Sequence, residues 1–356
     1  MPINENELRS RHSETSDVLR ITIKEKDRIL EEYRREHGRL EVFFEDIKAH
    51  VEPIEPVKVS YKKEKEGTIY HACMQISDTH MGSTQDPDEI EGFGEYSASI
   101  CDSRNANFAM RTVEWIERKR RAYNINDITM LVTGDLVSGD IHEELKITNE
   151  FPVTVQVVRA AELLAKQISI VSPHFNKVNV EFIGADNHGR LTKKPQAKEE
   201  GYNSYNYLVG YMASLHVQKF SNVEFNIYPV HEKVIHVGGR QYLCSHGHGI
   251  QGWMGIPWYS IERKQNKEAR ARMQIIMEAV DNEMKMMQKI GFHKFVFSHY
   301  HYPINTPHYS CNGSTQGTDA YDHRNGRHAD PSQSAWLIHP TLGEFDRIDF
   351  NLKNSI

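Results

Sequence analysis

Five short segments of the chain gather aspartate, histidine and a single asparagine in one order: Asp78-Thr79-His80, Gly134-Asp135, Asn187-His188, His246-Gly247-His248 and His299-Tyr300-His301. Each closes an apolar run with strand character: His71–Ile76, Ile128–Val132, Val178–Ile183, Gln241–Cys244 and Phe295–Phe297. A residue at the carboxyl end of a strand stands at the rim of a sheet, where α/β proteins assemble their sites. Carboxylate, imidazole and one amide suit a pair of hard-to-borderline divalent ions, and such pairs serve metal-assisted hydrolysis of phosphate esters. Any one of these motifs is commonplace. All five in order, in a chain with 20 histidines among 356 residues, set aside the reading in which the side chains merely cap loops.

The elements that must position these residues alternate strand with helix. Asn105 to Ala122 carries Phe108, Val113 and Ile116 on one side, and Val153 to Val171 carries Val157, Ala161, Leu164 and Ile168. Glu262 to Ile290 reads as one long helix with Met273, Ile276, Met277, Val280, Met284 and Met287, methionines expected to fill core. After His301, Trp336-Leu337-Ile338 and Phe345–Phe350 alternate as half-buried antiparallel strands. Thr84 to Asp102 is polar and contains glycine, a candidate lid over the site.

The order Asp-x-His, Gly-Asp, Asn-His, His, His-x-His resembles the calcineurin-like metallophosphoesterase superfamily over roughly residues 67–350. The resemblance implies an α/β fold, a two-sheet β-sandwich flanked by helices with the metals at one sheet edge. It implies two divalent ions, Mn²⁺ first, with Fe, Zn²⁺ or Ni²⁺ as alternatives. Carried over residue by residue, one ion takes Asp78, His80 and His301, the other takes Asn187, His246 and His299, and Asp135 bridges them. The bridging water then becomes a hydroxide nucleophile near neutral pH, and His188 protonates the leaving oxygen or binds the transition state.

Several phrases are closest to the metallophosphoesterases of tailed phages and prophages: Asp86-Pro87-Asp88-Glu89, Ser138-Gly139-Asp140-Ile141-His142-Glu143-Glu144-Leu145, Asn187-His188-Gly189-Arg190 with Lys193-Lys194-Pro195, and Asn312-Gly313-Ser314. That narrower likeness implies a cytoplasmic setting (the host cytoplasm if phage-encoded) in nucleic-acid metabolism. Departures from the wider pattern are also informative. Protein phosphatases of the superfamily carry Asp three residues after the bridging Asp, followed by Arg; here those positions are Ser138 and Gly139, which disfavours a phosphoprotein substrate. Asp186 stands where Gly usually precedes the Asn, adding charge beside the second ion, and Gly189 replaces an acidic residue. Ser298 stands where a Gly is usual.

Composition bounds the rest. Hydrophobic content of 38% with 10% aromatics supplies a core, and no apolar window of about 18 residues or export signal suggests a membrane partner. Cys73, Cys101, Cys244 and Cys311 are scattered, which reads as buried free thiols. The net charge of −6, from 43 basic and 49 acidic residues, is no general nucleic-acid signature, although a local patch can still hold phosphates. Arg190, Lys193, Lys194 and Lys198 should overhang the site and contact substrate, as should His248; His142 is a weaker candidate. Trp253, Trp258 and Tyr259 precede Arg263, Lys264, Lys267, Arg270 and Arg272, read more readily as loop packing and a solvated helix face than as a base-stacking platform.

Residues 1–66 read as a helical N-terminal extension and linker, and 67–356 as the catalytic domain. Ile29, Leu30 and Tyr33 form one amphipathic stripe; after Gly38, Phe43, Phe44, Ile47 and Val51 form a second. Pro53, Pro56 and Tyr61-Lys62-Lys63-Glu64-Lys65 mark the linker. Docking or homo-oligomerisation is the expected role of these helices. Three functions compete: a phosphodiesterase or nuclease acting on DNA, RNA or nucleotides, a phosphomonoesterase of small phosphorylated metabolites or nucleotides, and a non-catalytic scaffold. The phage-like phrases and the Arg190–Lys198 cluster put the first ahead of the second, and retention of every ligand type and of His188 argues against the third.

Overall fold

The computed structural model describes residues 5–57, 67–252, 255–279 and 282–354. The chain divides into two units, Met1–Val51 and Glu52–Ile356. The first holds α1, Glu5–His50, which is 46 residues long, or about 70 Å at 1.5 Å per residue. It runs unbroken through Gly38, where the sequence suggested a break between two helices. A glycine inside a helix costs only about 1 kcal/mol, less than the charged helix formers on both sides supply together. Ile29, Leu30, Leu40 and Phe43 are exposed on it. The side chain of Tyr33 and the linker phrase Tyr61–Lys65 lie outside the described residues.

The second unit alternates strand and helix. Its order is β1 (Ile69–Ile76), α2 (Ala98–Lys119), β2 (Asn124–Val132), α3 (Leu145–Thr148), α4 (Val153–Val171), β3 (Lys177–Ile183), α5 (Tyr205–His216), β4 (Val223–Tyr228), β5 (Glu232–Val237) and β6 (Arg240–Ser245). There follow α6 (Trp258–Glu278), α7 (Glu283–Ile290), β7 (Lys294–Phe297), β8 (Ile304–Asn305), β9 (Tyr309–Cys311), α8 (Ala320–Arg324), β10 (Ser332–His339) and β11 (Gly343–Asn351). One sheet has the order β11-β10-β1-β2-β3-β4, and the other β5-β6-β7-β9-β8. β1 to β4 pair in parallel, while β10 and β11 add antiparallel strands at one edge. The unit is an α/β two-sheet sandwich flanked by helices.

Alternation along each strand builds three apolar layers. On one side of β1, β2 and β10 lie Ala72, Met74, Ile76, Ile128, Met130, Val132, Ala335 and Leu337, packed with α2, α4 and α5. On the other side Cys73, Leu131, Trp336 and Ile338 meet Ile235, Val237, Tyr242, Cys244 and Val296 of the second sheet. Leu243, Phe295 and Phe297 point outward to Ile261 of α6 and to Ile250 and Tyr300. Each such aliphatic or aromatic side chain contributes about 1.5–3 kcal/mol by leaving water. β10 is buried along nearly its whole length, not half-buried as its alternation suggested, because both of its faces are covered.

The long helix expected over Glu262–Ile290 is two, α6 and α7, and Val280 lies outside the described residues. Its methionines are not core: Met273, Met277, Met284 and Met287 are exposed, and only Ile261 and Ile276 of α6 are buried. The segment expected as a lid is anchored. Gln85 and Tyr96 exchange backbone hydrogen bonds, Ala320 N–H donates to the Gln85 side chain at 2.8 Å, and α2 already begins at Ala98. All four cysteines are buried free thiols. Among the described residues, no helix is long and apolar enough to cross a membrane.

Candidate metal centre

The five motifs occupy five loops at the carboxyl ends of β1, β2, β3, β6 and β7. The chain turns sharply as it leaves these strands: Asp78 (φ 49°), His80 (43°), Asp135 (51°), His299 (78°) and His301 (57°) all lie in the left-handed region. Only three other non-glycine residues do so among those described, Glu91, Glu199 and Asp346. Such backbone persists only where neighbours over-determine it. Here Asp78 N–H donates to Gly134 O (3.1 Å), His80 N–H to Asp135 O (3.0 Å), Ser298 N–H to His246 O (2.8 Å) and Thr315 N–H to Asp78 O (3.2 Å). The Ser314 hydroxyl also donates to Asp78 O at 2.9 Å. Asn312 Nδ2 donates to Ser77 Oγ and Gln333 Oε1, both at 2.9 Å, so the phrase Asn312-Gly313-Ser314 buttresses the loop that carries Asp78.

The side chains converge in overlapping groups whose donor atoms lie within 4.8 Å of one another: Asp78, His80 and His301; Asp135, His246 and His299; and His80, Asp135 and His188. His80 Nε2 and His301 Nε2 are 3.0 Å apart, and His301 Nε2 is 3.6 Å from Asp78 Oδ1. His246 Nε2 is 3.0 Å from Asp135 Oδ2 and 2.9 Å from Asn187 Oδ1. Asp135 thus belongs to both sides of the cluster. Imidazole nitrogens and carboxylate oxygens gathered this closely could hold a metal ion, and this nitrogen–oxygen set fits hard-to-borderline divalent ions.

Second partners aim the rings. Thr133 O accepts from His246 Nδ1 at 2.8 Å, Asp322 Oδ2 from His301 Nδ1 at 2.7 Å, and Ser138 O from His188 Nδ1 at 2.7 Å, leaving each Nε2 for the centre. Burial holds the His80 and His299 imidazoles well below their usual range, so both offer a lone pair. Burial pushes His246 the same way, but Asp135 overrides it and lifts it to about 9; Asp322 and Asp78 likewise lift His301 to about 10. In both rings the neighbouring carboxylate favours the positively charged form against the cost of burial.

The departures from the superfamily pattern now have physical accounts. Asp186 is buried, and its carboxylate accepts from Asp135 N–H (2.8 Å) and Gly189 N–H (2.9 Å). It fixes the backbone of the shared carboxylate and of the Asn187-His188 loop, and burial with the neighbouring Asp135 raises it to about 7. A side chain at 189 would meet Asp186 Oδ1 at 2.7 Å, so glycine there and aspartate at 186 belong together. Gly139 (φ +72°) is pressed on His188, whose carbonyl oxygen would lie 2.0 Å from a Cβ. The orienting partner of His188 is consequently a backbone carbonyl, that of Ser138, rather than a carboxylate.

The expected substrate contacts divide. Arg190 folds onto its own loop, donating to Thr192 O (3.0 Å) and Lys193 O (3.2 Å), and Lys193 pairs with Glu143. Lys194 and Lys198 are exposed and make no ion pair among the described residues. His248 turns to Glu200, at 2.6 Å, and does not join the groups above. On α6, Arg263, Lys267 and Arg270 are exposed as on a solvated helix face, whereas Lys264 and Arg272 are part-buried and tied to Glu232 and Glu268. Trp258, expected to pack a loop, is exposed at the start of the helix with Tyr259, and Trp253 lies outside the described residues. His142 is exposed, with its ring 6.1 Å from that of His188.

Sequence reasoning missed Asp322 and its partner Arg327, whose guanidinium is 2.8 Å from Asp322 Oδ1. The available signal was weak: Asp319 as the N-cap of a short helix, with Asp322 three residues on. No family model matches this chain, and no curated protein does.

Proposed function

We propose that the protein is a dinuclear metal-dependent phosphoesterase of the calcineurin-like kind, acting on phosphodiesters of nucleic acid or nucleotides. One observation carries the reading: seven side chains of metal-ligand type, Asp78, His80, Asp135, Asn187, His246, His299 and His301, converge from five strand ends, with Asp135 common to both sides. Asp78, His80 and His301 would hold one ion and Asn187, His246 and His299 the other, with Mn²⁺ the first to try. When bound, such ions supply Lewis acidity toward phosphoryl oxygens and acidify water. The chain supplies the remainder. Asp135 and Asp186 fix the spacing of the two halves, and His188, anchored through Nδ1 on Ser138 O, would present Nε2 to the departing oxygen as the general acid. Lys194 and Lys198 would meet neighbouring phosphates.

A small monoester is the second reading. It is favoured by the engagement of Arg190 and Lys193 within the protein, which leaves fewer cations to track a polyanion. Bis(p-nitrophenyl) phosphate and p-nitrophenyl phosphate, assayed side by side with Mn²⁺, separate the two, with Asp135→Ala as the control. Diester cleavage lost in the variant supports the proposal, and preference for the monoester supports the second reading. Activity that survives Asp135→Ala refutes both. The exposed apolar residues of α1 are proposed for self-association.

A further inference from the structure

A second cluster of imidazole and carboxylate lies beside the centre and takes no part in it. Glu200 comes from the loop between β3 and α5, His231 from the turn between β4 and β5, and His248 from the loop after β6. His231 Nδ1 is 3.0 Å from Glu200 Oε2, and His248 Nε2 is 2.6 Å from Glu200 Oε1. One donor atom from each residue falls within 4.8 Å of the others. We infer that Glu200, His231 and His248 form a separate site for one divalent transition-metal ion.

Three further observations support this assignment. Two imidazoles and one carboxylate with their donor atoms gathered this closely make an open nitrogen–oxygen ligand set, suited to borderline divalent ions. The side chains are 11% (His248), 16% (Glu200) and 34% (His231) exposed, so the cluster is walled on one side and open to water on the other. The backbone is also shaped to bring them together. Glu199, next to Glu200, is held at φ 55°, a Cβ on Gly201 would lie 2.3 Å from Pro229 C, and one on Gly249 would lie 2.7 Å from His231 Nε2. A left-handed non-glycine residue and two close approaches are more than a surface ion pair requires. The site requires no phosphoesterase chemistry and stands whether or not the reaction proposed above is right.

Zn²⁺ alone is the probe. Chelator-stripped wild type, His231→Gln, Glu200→Gln and Asp135→Ala would be saturated with Zn²⁺, desalted and analysed for metal per chain, with circular dichroism to check folding. The expected result is the loss of one ion from His231→Gln and from Glu200→Gln, and retention of that ion in Asp135→Ala. Equal zinc content in the wild type and both glutamine variants overturns the site. A second measurement needs no variant: diethylpyrocarbonate labelling of wild-type His231, followed by peptide mass spectrometry. Zn²⁺ should slow that labelling several-fold; an unchanged rate overturns the inference.

Discussion

Asp322→Asn tests how the His301 side of the centre is held. Asp322 is buried, with one oxygen on His301 Nδ1 at 2.7 Å and the other on Arg327 at 2.8 Å. Asparagine keeps the shape but has one acceptor oxygen and one NH₂ group, so it can face only one of the two donors correctly. Whichever contact is lost, the carboxylate charge that raises the basicity of His301 is lost with it. Removing such an outer partner lowers metal affinity about 10- to 100-fold, or about 1.4–2.7 kcal/mol, and the donor–donor conflict places the expectation at the upper end. The assay is competition against a chromophoric chelator, fitted to separate affinities. The weaker-binding event should be the one assigned to Asp78, His80 and His301, while the affinity at Asn187, His246 and His299 stays put. Equal weakening of both, or none, refutes the claim that Asp322 acts through His301.

Three other perturbations follow from the geometry. His188→Ala should keep its metal content while turnover falls about 100- to 10,000-fold, and an unchanged rate would remove the residue from the chemistry. Gly139→Ala should cost about 1–3 kcal/mol in denaturant titration because it adds a clash with the His188 carbonyl to the left-handed penalty. Gly92→Ala, at φ +78° with nothing within 4 Å, should show only the penalty, about 1 kcal/mol; equal losses would sink the crowding argument. His71, half-buried on β1 against Thr129 Oγ1, is lowered to about 4 by burial and by the Lys177 charge. Since the unfolded chain binds that proton more readily, stability should fall as pH drops from about 6.5 toward 4, by roughly 2 kcal/mol for a half-buried ring. Thermal melts of His71→Gln should be flatter over this window, and an identical acid limb would contradict the assignment.

The convergence of the aspartate and histidine motifs is legible because each motif follows a strand, and strand ends are visible as apolar runs. Val153–Val171 was read to the residue because its stripe is long and regular. Other features needed the third dimension. Periodicity shows that α6 and α7 have an apolar face, but not whether anything covers it, so their methionines were misassigned. Gly38 looked like a stop because a helix-weakening residue and a helix-ending one look alike in sequence. Asp322, and the trio of Glu200, His231 and His248, come from loops that no local pattern relates. Asp186 stands out in sequence as an irregularity, yet its role depends on the Asp135 N–H of another strand end and on the Gly189 N–H of its own loop.

The left-handed backbone at Asp78, His80, Asp135, His299 and His301 bears on how this protein would respond to selection for heat resistance. At about 1 kcal/mol or more for each residue, the five positions together amount to a sizeable part of the 5–15 kcal/mol by which a whole domain is stable. Glycine accepts these angles without strain. A blind screen for thermostable variants of the metal-free chain should therefore return glycine at these five positions. Those substitutions would raise the melting temperature while removing five of the side chains proposed to hold metal, so that gains in robustness at these positions would come at the expense of the proposed centre.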